Sequence, residues 1–331
     1  KISLRPGDMQ VGKNFITNVQ PFQNGNKTEN WYQFKVPIRD FEKRINGIQD
    51  FRTIRFMRMF LKDFDEEVMV RFARLEFIRG EWRQFRDDMT EPGEGVTVDP
   101  NLTTFNIGAV NVEENDQRTP IKYEIPPGII REVDPSQTYE RQLNEQSLTL
   151  EVCDLQDGDA RAAYKNVTFD VRTYKKLKMF VHAEEVDVAK ALNDDDITCF
   201  VRLGTDFTDN YYEYELPLKT TAWGSTVDTD IWPEQNFVEI VFEDLLNLKK
   251  DRNKIIESGS GTASTAVEYT LIDATNDRVL KVKGNPNLQG MKVIMIGLRN
   301  PHVNKATPWS DDGLAKCATV WVNELRLTDF V

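Results

Sequence analysis

The chain has 331 residues, 40% of them apolar and 10% aromatic, and carries a formal net charge of −12. This length allows two or three domains with cores of their own, and the apolar content is that of a folded chain. The acid excess argues against nucleic acid and against docking on anionic lipid, since either needs a basic stripe; its simplest role is solubility.

The longest aliphatic stretch runs from about Val293 to Leu298, far short of the ~20 apolar residues of a spanning helix. Nothing at the N-terminus reads as a signal peptide. The chain opens at Lys1 without Met, so it is read as a piece of a larger protein. With two His (His182 and His302), there is almost no material for His-based catalysis or zinc binding. The three Cys, 153, 199 and 317, form no CxxC pair and allow at most one internal disulfide. Cys153 and Cys199 are the pair worth testing; free buried thiols are the simpler expectation.

In chain order, Asn24-Gly25 has the composition of a tight hairpin turn. The stretch Glu29-Asn30-Trp31-Tyr32-Gln33-Phe34-Lys35-Val36-Pro37-Ile38-Arg39 follows. It matches Asp209-Asn210-Tyr211-Tyr212-Glu213-Tyr214-Glu215-Leu216-Pro217-Leu218-Lys219 in character at every position. Such a match predicts two related β units. Period-two alternation predicts strands at 54–61 and 68–77, joined through Phe64-Asp65-Glu66-Glu67. Arg71 and Glu76 fall on opposite faces, so a bulge is expected near Ala73. The arginines at 52, 55, 58, 71, 74, 79, 83 and 86 fit a cross-strand ladder paired with acids.

Asp87 to Gly95 is polar and turn-rich, and Ile125-Pro126-Pro127-Gly128-Ile129 must be extended. Residues 87–146 therefore read as a surface connector between a first unit, 1–86, and a second, 147–331. Strands are expected in the second unit at 148–152, 167–171, 177–182, 198–203, 211–218, 237–242, 267–272, 279–282, 293–298 and 318–327. Short helices fit 187–192 and 244–250, the latter capped by Asp244. Asp157-Gly158 marks another tight turn, and 257–264 a small-residue loop. Many short strands between Gly, Asn, Asp and Pro suggest a sandwich or jelly roll. The fold class is all-β: two tandem β-sandwich units with few short helices. The first copy lacks strands at its front, and after Pro37 it also lacks the helix and hairpin that follow Pro217.

Asp154, Asp157 and Asp159 flank Gly158 and are the weak Ca²⁺ candidates; Asp194, Asp195, Asp196, Asp206 and Asp209 form a second group. Neither group has EF-hand spacing, and Asp commonly occupies turns without a metal. No organic cofactor is expected. The chain has no GxSxG, HExxH or P-loop, and no carboxylate pair stands out for glycoside hydrolysis. It is therefore not expected to be an enzyme. Trp31, Tyr32, Tyr211 and Tyr212 are the candidate contacts for a sugar, peptide or partner. The competing reading is that they are core, in which case Trp31→Ala and Tyr211→Ala each cost roughly 3 kcal/mol.

Phe51 to Leu61, Val70 to Arg83 and Cys317 to Phe330 resemble the SprA (Sov) family, as do Leu4-Arg5-Pro6-Gly7-Asp8-Met9 and Gly12-Lys13-Asn14-Phe15. These strings are long and idiosyncratic, and the resemblance covers most of the chain. Val320 to Leu327 also looks like the closing strand of galactose-binding-like jelly rolls, a likeness of fold and not of sugar binding. The SprA resemblance implies a segment of the giant outer-membrane β-barrel of the Bacteroidetes type IX secretion system, which is tied to gliding motility in some members. It implies other type IX components and secreted cargo proteins as partners, and carries over no catalytic residue. Without paired outward-apolar strands of a barrel wall, the piece is expected to be a soluble insertion that does not itself enter the membrane. It would lie on the extracellular or periplasmic side, the extracellular cap over the pore being one such place. The alternative is a carbohydrate-binding or adhesive cell-surface module.

Overall fold

A strand needs a neighbour for its backbone N–H and C=O groups as well as an apolar face, and that requirement separates the two halves of this chain. The computed structural model describes residues 1–10, 13–24, 27–38, 42–43, 57–65, 67–73, 75, 82–87, 89, 102–131, 133, 142–187, 191–273, 277–302 and 312–330. They divide into two compact units, 1–76 and 77–331.

In the first unit, β1 (Ile16–Asn24) and β2 (Lys27–Phe34) form an antiparallel two-stranded sheet closed by the expected turn, with Asn24 opposite Lys27. Ile16 is buried, Tyr32 and Phe34 are half-buried, and Phe22 and Trp31 are exposed. The expected strands at 54–61 and 68–77 are not found where the chain is described. Met57–Leu61 and Val68–Ala73 carry no ladder, and Phe60, Met69 and Phe72 are exposed. Alternation supplied a face there but no neighbouring strand. Ile54–Phe56, Glu76, Phe77 and half of the expected arginine ladder (Arg52, Arg55, Arg74 and Arg79) lie outside the described residues. Among the described residues the sheet of the first unit is this hairpin.

The second unit is a two-sheet sandwich. Its elements are β3 (Arg83–Gln84), β4 (Thr104–Asn111), α1 (Val112–Asn115), β5 (Gln146–Leu155), β6 (Ala160–Phe169), β7 (Tyr174–Glu185), β8 (Thr198–Gly204), β9 (Tyr211–Pro217), α2 (Asp228–Ile231), β10 (Val238–Val241), α3 (Phe242–Glu257), β11 (Tyr269–Asp273), β12 (Arg278–Lys283), β13 (Met291–Arg299) and β14 (Lys316–Phe330). A five-stranded sheet runs β10-β7-β14-β5-β4, and a seven-stranded sheet runs β11-β12-β9-β8-β13-β6-β3. All pairings are antiparallel. The core takes Leu150, Val152, Leu177, Met179, Val181 and Val320 from the first sheet; from the second it takes Val201, Leu203, Tyr212, Tyr214, Ile294 and Ile296. Alternate residues of each strand face this core, as a sandwich requires.

Both copies of the aromatic-Pro motif form the second strand of an antiparallel hairpin, β1–β2 and β8–β9. In both, the face carrying the second and third aromatics (Tyr32 and Phe34, Tyr212 and Tyr214) is less exposed than Trp31 is in the first copy. The turn at Asp157-Gly158 forms, with Gly158 at φ +75°. It joins β5 to β6 and so crosses between the sheets instead of closing a hairpin.

The expected connector contributes to the sandwich. Thr104–Asn111 is the edge strand β4, and Ile121 and Tyr123 are buried with Trp232 and Trp321. Its Pro, Gly and Asn content hid a strand whose burial comes from distant residues. The helix expected at 244–250 is longer, with Asp244 inside its first turn, where its charge suits the helix dipole. Asp187, Ala191 and Leu192 carry no helix.

The Cys153–Cys199 pairing is overturned, because the disulfide joins Cys153 on β5 to Cys317 on β14. These strands are neighbours in the five-stranded sheet, whereas Cys199 lies in the other sheet, within the main core. Cys199 is the buried free thiol, and burial pushes it up to about 12.

Candidate functional site

On β9, Glu213 and Glu215 alternate with the core aromatics and so point to the opposite face of the seven-stranded sheet. Neighbouring strands bring cations to the same face. Lys281 Nζ donates to Glu213 at 3.0 Å and to Glu215 at 2.7 Å. Arg202 Nε donates to Glu213 at 2.8 Å, and Thr198 Oγ1 to Glu215 at 2.6 Å. Arg299 reaches both carboxylates. All of these side chains are buried. Burial alone would raise both acids, but Arg299 and Lys281 outweigh it, holding Glu213 well below the usual carboxylate range and Glu215 at about 2. A glycosidase acid has the reverse shift. The arrangement is a buried ionic lock of two carboxylates and three cations.

Beside the lock, the Arg202 guanidinium lies 3.8 Å from the Tyr211 ring centre. The Tyr211 hydroxyl donates to Glu268. Phe200 lies over Gly297, where a Cβ would meet the ring at 2.2 Å.

The five-stranded sheet carries a second buried polar cluster on its own outer face. The His182 ring stacks on Trp321 with centroids 4.0 Å apart. Its Nδ1 lies 2.8 Å from the Ile231 carbonyl and 3.1 Å from the Thr221 hydroxyl. Arg118 grips Glu184 with both terminal nitrogens and donates to the Ile121 carbonyl at 2.9 Å. Trp232 Nε1 donates to the Glu124 carbonyl at 2.9 Å. These contacts fasten the 118–124 and 221–232 segments over the sheet. Sequence reading missed this cluster, because it joins His182 and Trp321, on expected strands far apart in the chain, to the 118–124 stretch read as connector. A shallow depression of about 450 Å³ nearby is lined by Glu185, Leu192, Asn193, Asp194, Thr220, Thr221 and Ala222.

The residues singled out by sequence separate. Tyr211 is 2% exposed and Tyr212 1%, so neither presents a ring to a ligand. Trp31 is 40% exposed, against the core reading of that residue, and Tyr32 is half-buried. The three aspartates do not converge on one point. Asp159 is buried and accepts from Arg161 at 2.6 Å, from the Ala160 N–H at 2.7 Å and from Thr103 at 3.0 Å. Asp157 lies 3.2 Å from His302 Nδ1. Asp154 is exposed, its N–H on Cys317 Sγ at 3.3 Å. Among the described residues, Cys153, Asp154 and Cys317 bring ligand atoms together, but the two sulfurs are joined to each other.

Sheet order, inward-facing aliphatics and charges buried on the outer faces of the sheets define an all-β sandwich protein. A family model described as motility related/secretion protein, SprA_N, matches residues 1–331, and the chain belongs to this family. No curated protein matches it. No helix among the described residues is long and apolar enough to cross a membrane.

Proposed function

We propose that this chain is a structural, non-catalytic segment of the type IX secretion translocon of the outer membrane, supporting protein export to the cell surface and gliding motility. The observation that carries the reading is the family match along the whole chain. The ionic lock fits it, since Glu213 and Glu215 are held as anions and bound by Lys281 and Arg299 instead of being presented to a substrate. On this reading the segment works by shape, contacting cargo or other secretion components from the extracellular or periplasmic side; the extracellular cap over the pore is one such place. The test is deletion of 77–331 from the intact parent gene, with barrel insertion checked by surface proteolysis. Loss of secreted cargo from the culture medium is expected. Normal secretion with the segment gone sinks the reading.

A second reading, a carbohydrate-binding module, is favoured by Trp31 and Phe22. Both are exposed, and the β1–β2 register sets them diagonally on one face of the hairpin. Binding on a glycan array that disappears with Trp31→Ala would establish it; an array without signal removes it.

A further inference from the structure

Val152 on β5 pairs with Ala318 on β14, and Leu155 pairs with Lys316. Two residues of β5, Cys153 and Asp154, therefore stand opposite one residue of β14, Cys317, which makes a β-bulge. On an unbroken strand, positions 153 and 154 would point to opposite faces. Here Asp154 takes left-handed backbone at φ +54°, and its carboxylate lies with both sulfurs inside a span of 4.8 Å. Two contacts to the Asp154 main chain fix the bulge. Its N–H donates to Cys317 Sγ at 3.3 Å, and its carbonyl accepts from Thr103 Oγ1 at 3.0 Å. A disulfide between neighbouring strands needs neither the bulge nor the acid. Bulges re-aim side chains beside functional sites, and non-Gly residues held left-handed gather there.

The donor set selects the ligand. Ca²⁺ takes six to eight oxygens, and this cluster offers one carboxylate, so Ca²⁺ does not fit it. Two thiolates with one carboxylate suit a thiophilic ion such as Zn²⁺. Asp154 is exposed, so water can take the fourth corner of the tetrahedron. Two sulfurs on one Zn²⁺, at about 2.3 Å each, lie about 3.8 Å apart, within the span of the cluster. A carboxylate has about four acceptor positions, so ligation through one oxygen leaves the others for contacts within the protein. We propose that Cys153, Cys317 and Asp154 form a redox-gated site for a thiophilic divalent cation, closed as the disulfide and open when the pair is reduced. A dithiol reductant supplies two electrons and two protons, breaks the S–S bond to leave two thiols, and departs as its own cyclic disulfide. The ion then forms two metal–sulfur bonds, and the two thiol protons pass to water. Either state ties β5 to β14, covalently or through the ion. The site goes beyond the secretion role, and its test reads metal binding alone, so either reading can fail without the other.

The test uses the full 331-residue chain carrying Cys199→Ala, reduced with dithiothreitol, desalted without air and titrated with Cd²⁺. Cadmium thiolates absorb in the ultraviolet. The charge-transfer band should saturate at one ion per chain, Zn²⁺ should bleach it, and protons should be released as it grows. The oxidised chain should give no band. Asp154→Asn should weaken binding by roughly tenfold, whereas Asp116→Asn, at an exposed position after α1, should leave it unchanged. Cys317→Ser should abolish the band; if that variant proves unfolded by circular dichroism, Cys153→Ser replaces it. If the reduced chain itself unfolds, Cd²⁺ is added to it, and recovery of the native circular dichroism is then the expected result. A reduced chain with neither band nor recovery, a band of equal strength on the oxidised chain or on the Cys→Ser variant, or equal affinity in Asp154→Asn overturns the proposal.

Discussion

Arg299 and Glu215 sit on strands that do not pair, yet they form a buried ion pair on one face of the sheet. The strand between β13 and β9 is β8, and the Arg299 side chain crosses it over the Phe200 ring, with its guanidinium carbon 4.7 Å from the ring centre. Gly297 leaves the space under that ring. The contact ties three strands together and makes the charge state of β9 a stability question.

Glu213 and Glu215 have folded-state values below the ordinary 4.5, Glu215 at about 2. The unfolded chain therefore binds protons first as pH falls, and the stability these acids contribute is full above about 4.5 and lost as pH approaches about 2. Urea midpoints measured from pH 6 to pH 2.5 should hold and then drop across that window. The drop should shrink in Glu215→Gln. A midpoint flat with pH in the wild type would mean the lock does not exist in solution.

Gly297→Val should destabilise the second unit by about 1–3 kcal/mol, because its side chain meets Phe200 and Ala162 in a packed layer. Phe200→Leu in the same chain should recover part of the loss. Chemical denaturation of the two single variants and the double variant measures the coupling.

Tyr211→Ala should cost about 3–5 kcal/mol, since it removes a buried ring and its contact with the Arg202 guanidinium. Trp31→Ala should cost less than about 1 kcal/mol, as expected of a surface position. The motif aligns these two residues, so equal losses in calorimetry would contradict their different burial.

Reduction of the Cys153–Cys317 bond, or Cys153→Ala, should lower stability by about 2–5 kcal/mol, because the link closes a long loop between β5 and β14. Cys199→Ala should not change the response to reductant. Denaturation with and without dithiothreitol separates the two, and identical curves for the wild type would show the bond is not formed.

The strands of the second unit were legible because aliphatic and aromatic residues come there in short runs bounded by turn residues, as at 198–203, 211–218 and 293–298. The same pattern at 57–61 and 68–73 carries no strand among the described residues. Alternation reports which way side chains point and says nothing about whether a neighbouring strand exists. Thr104–Asn111 failed in the opposite sense. Its Asn and Gly are residues depleted in strands, so by composition it reads as linker.

The candidate site was less legible. Tyr211 and Glu213 stood out in the motif, but the cations around them come from β8, β12 and β13, which only sheet order brings together. The sequence alone determined the all-β class, the repeated hairpin strand and the family, because each is written in local pattern or in long strings. Which cysteines join, which aromatics are covered and that β9 carries a buried ionic lock were decided by the tertiary structure. Pairing between strands far apart in the chain sets the neighbours of every side chain, and burial and charge state are properties of neighbours.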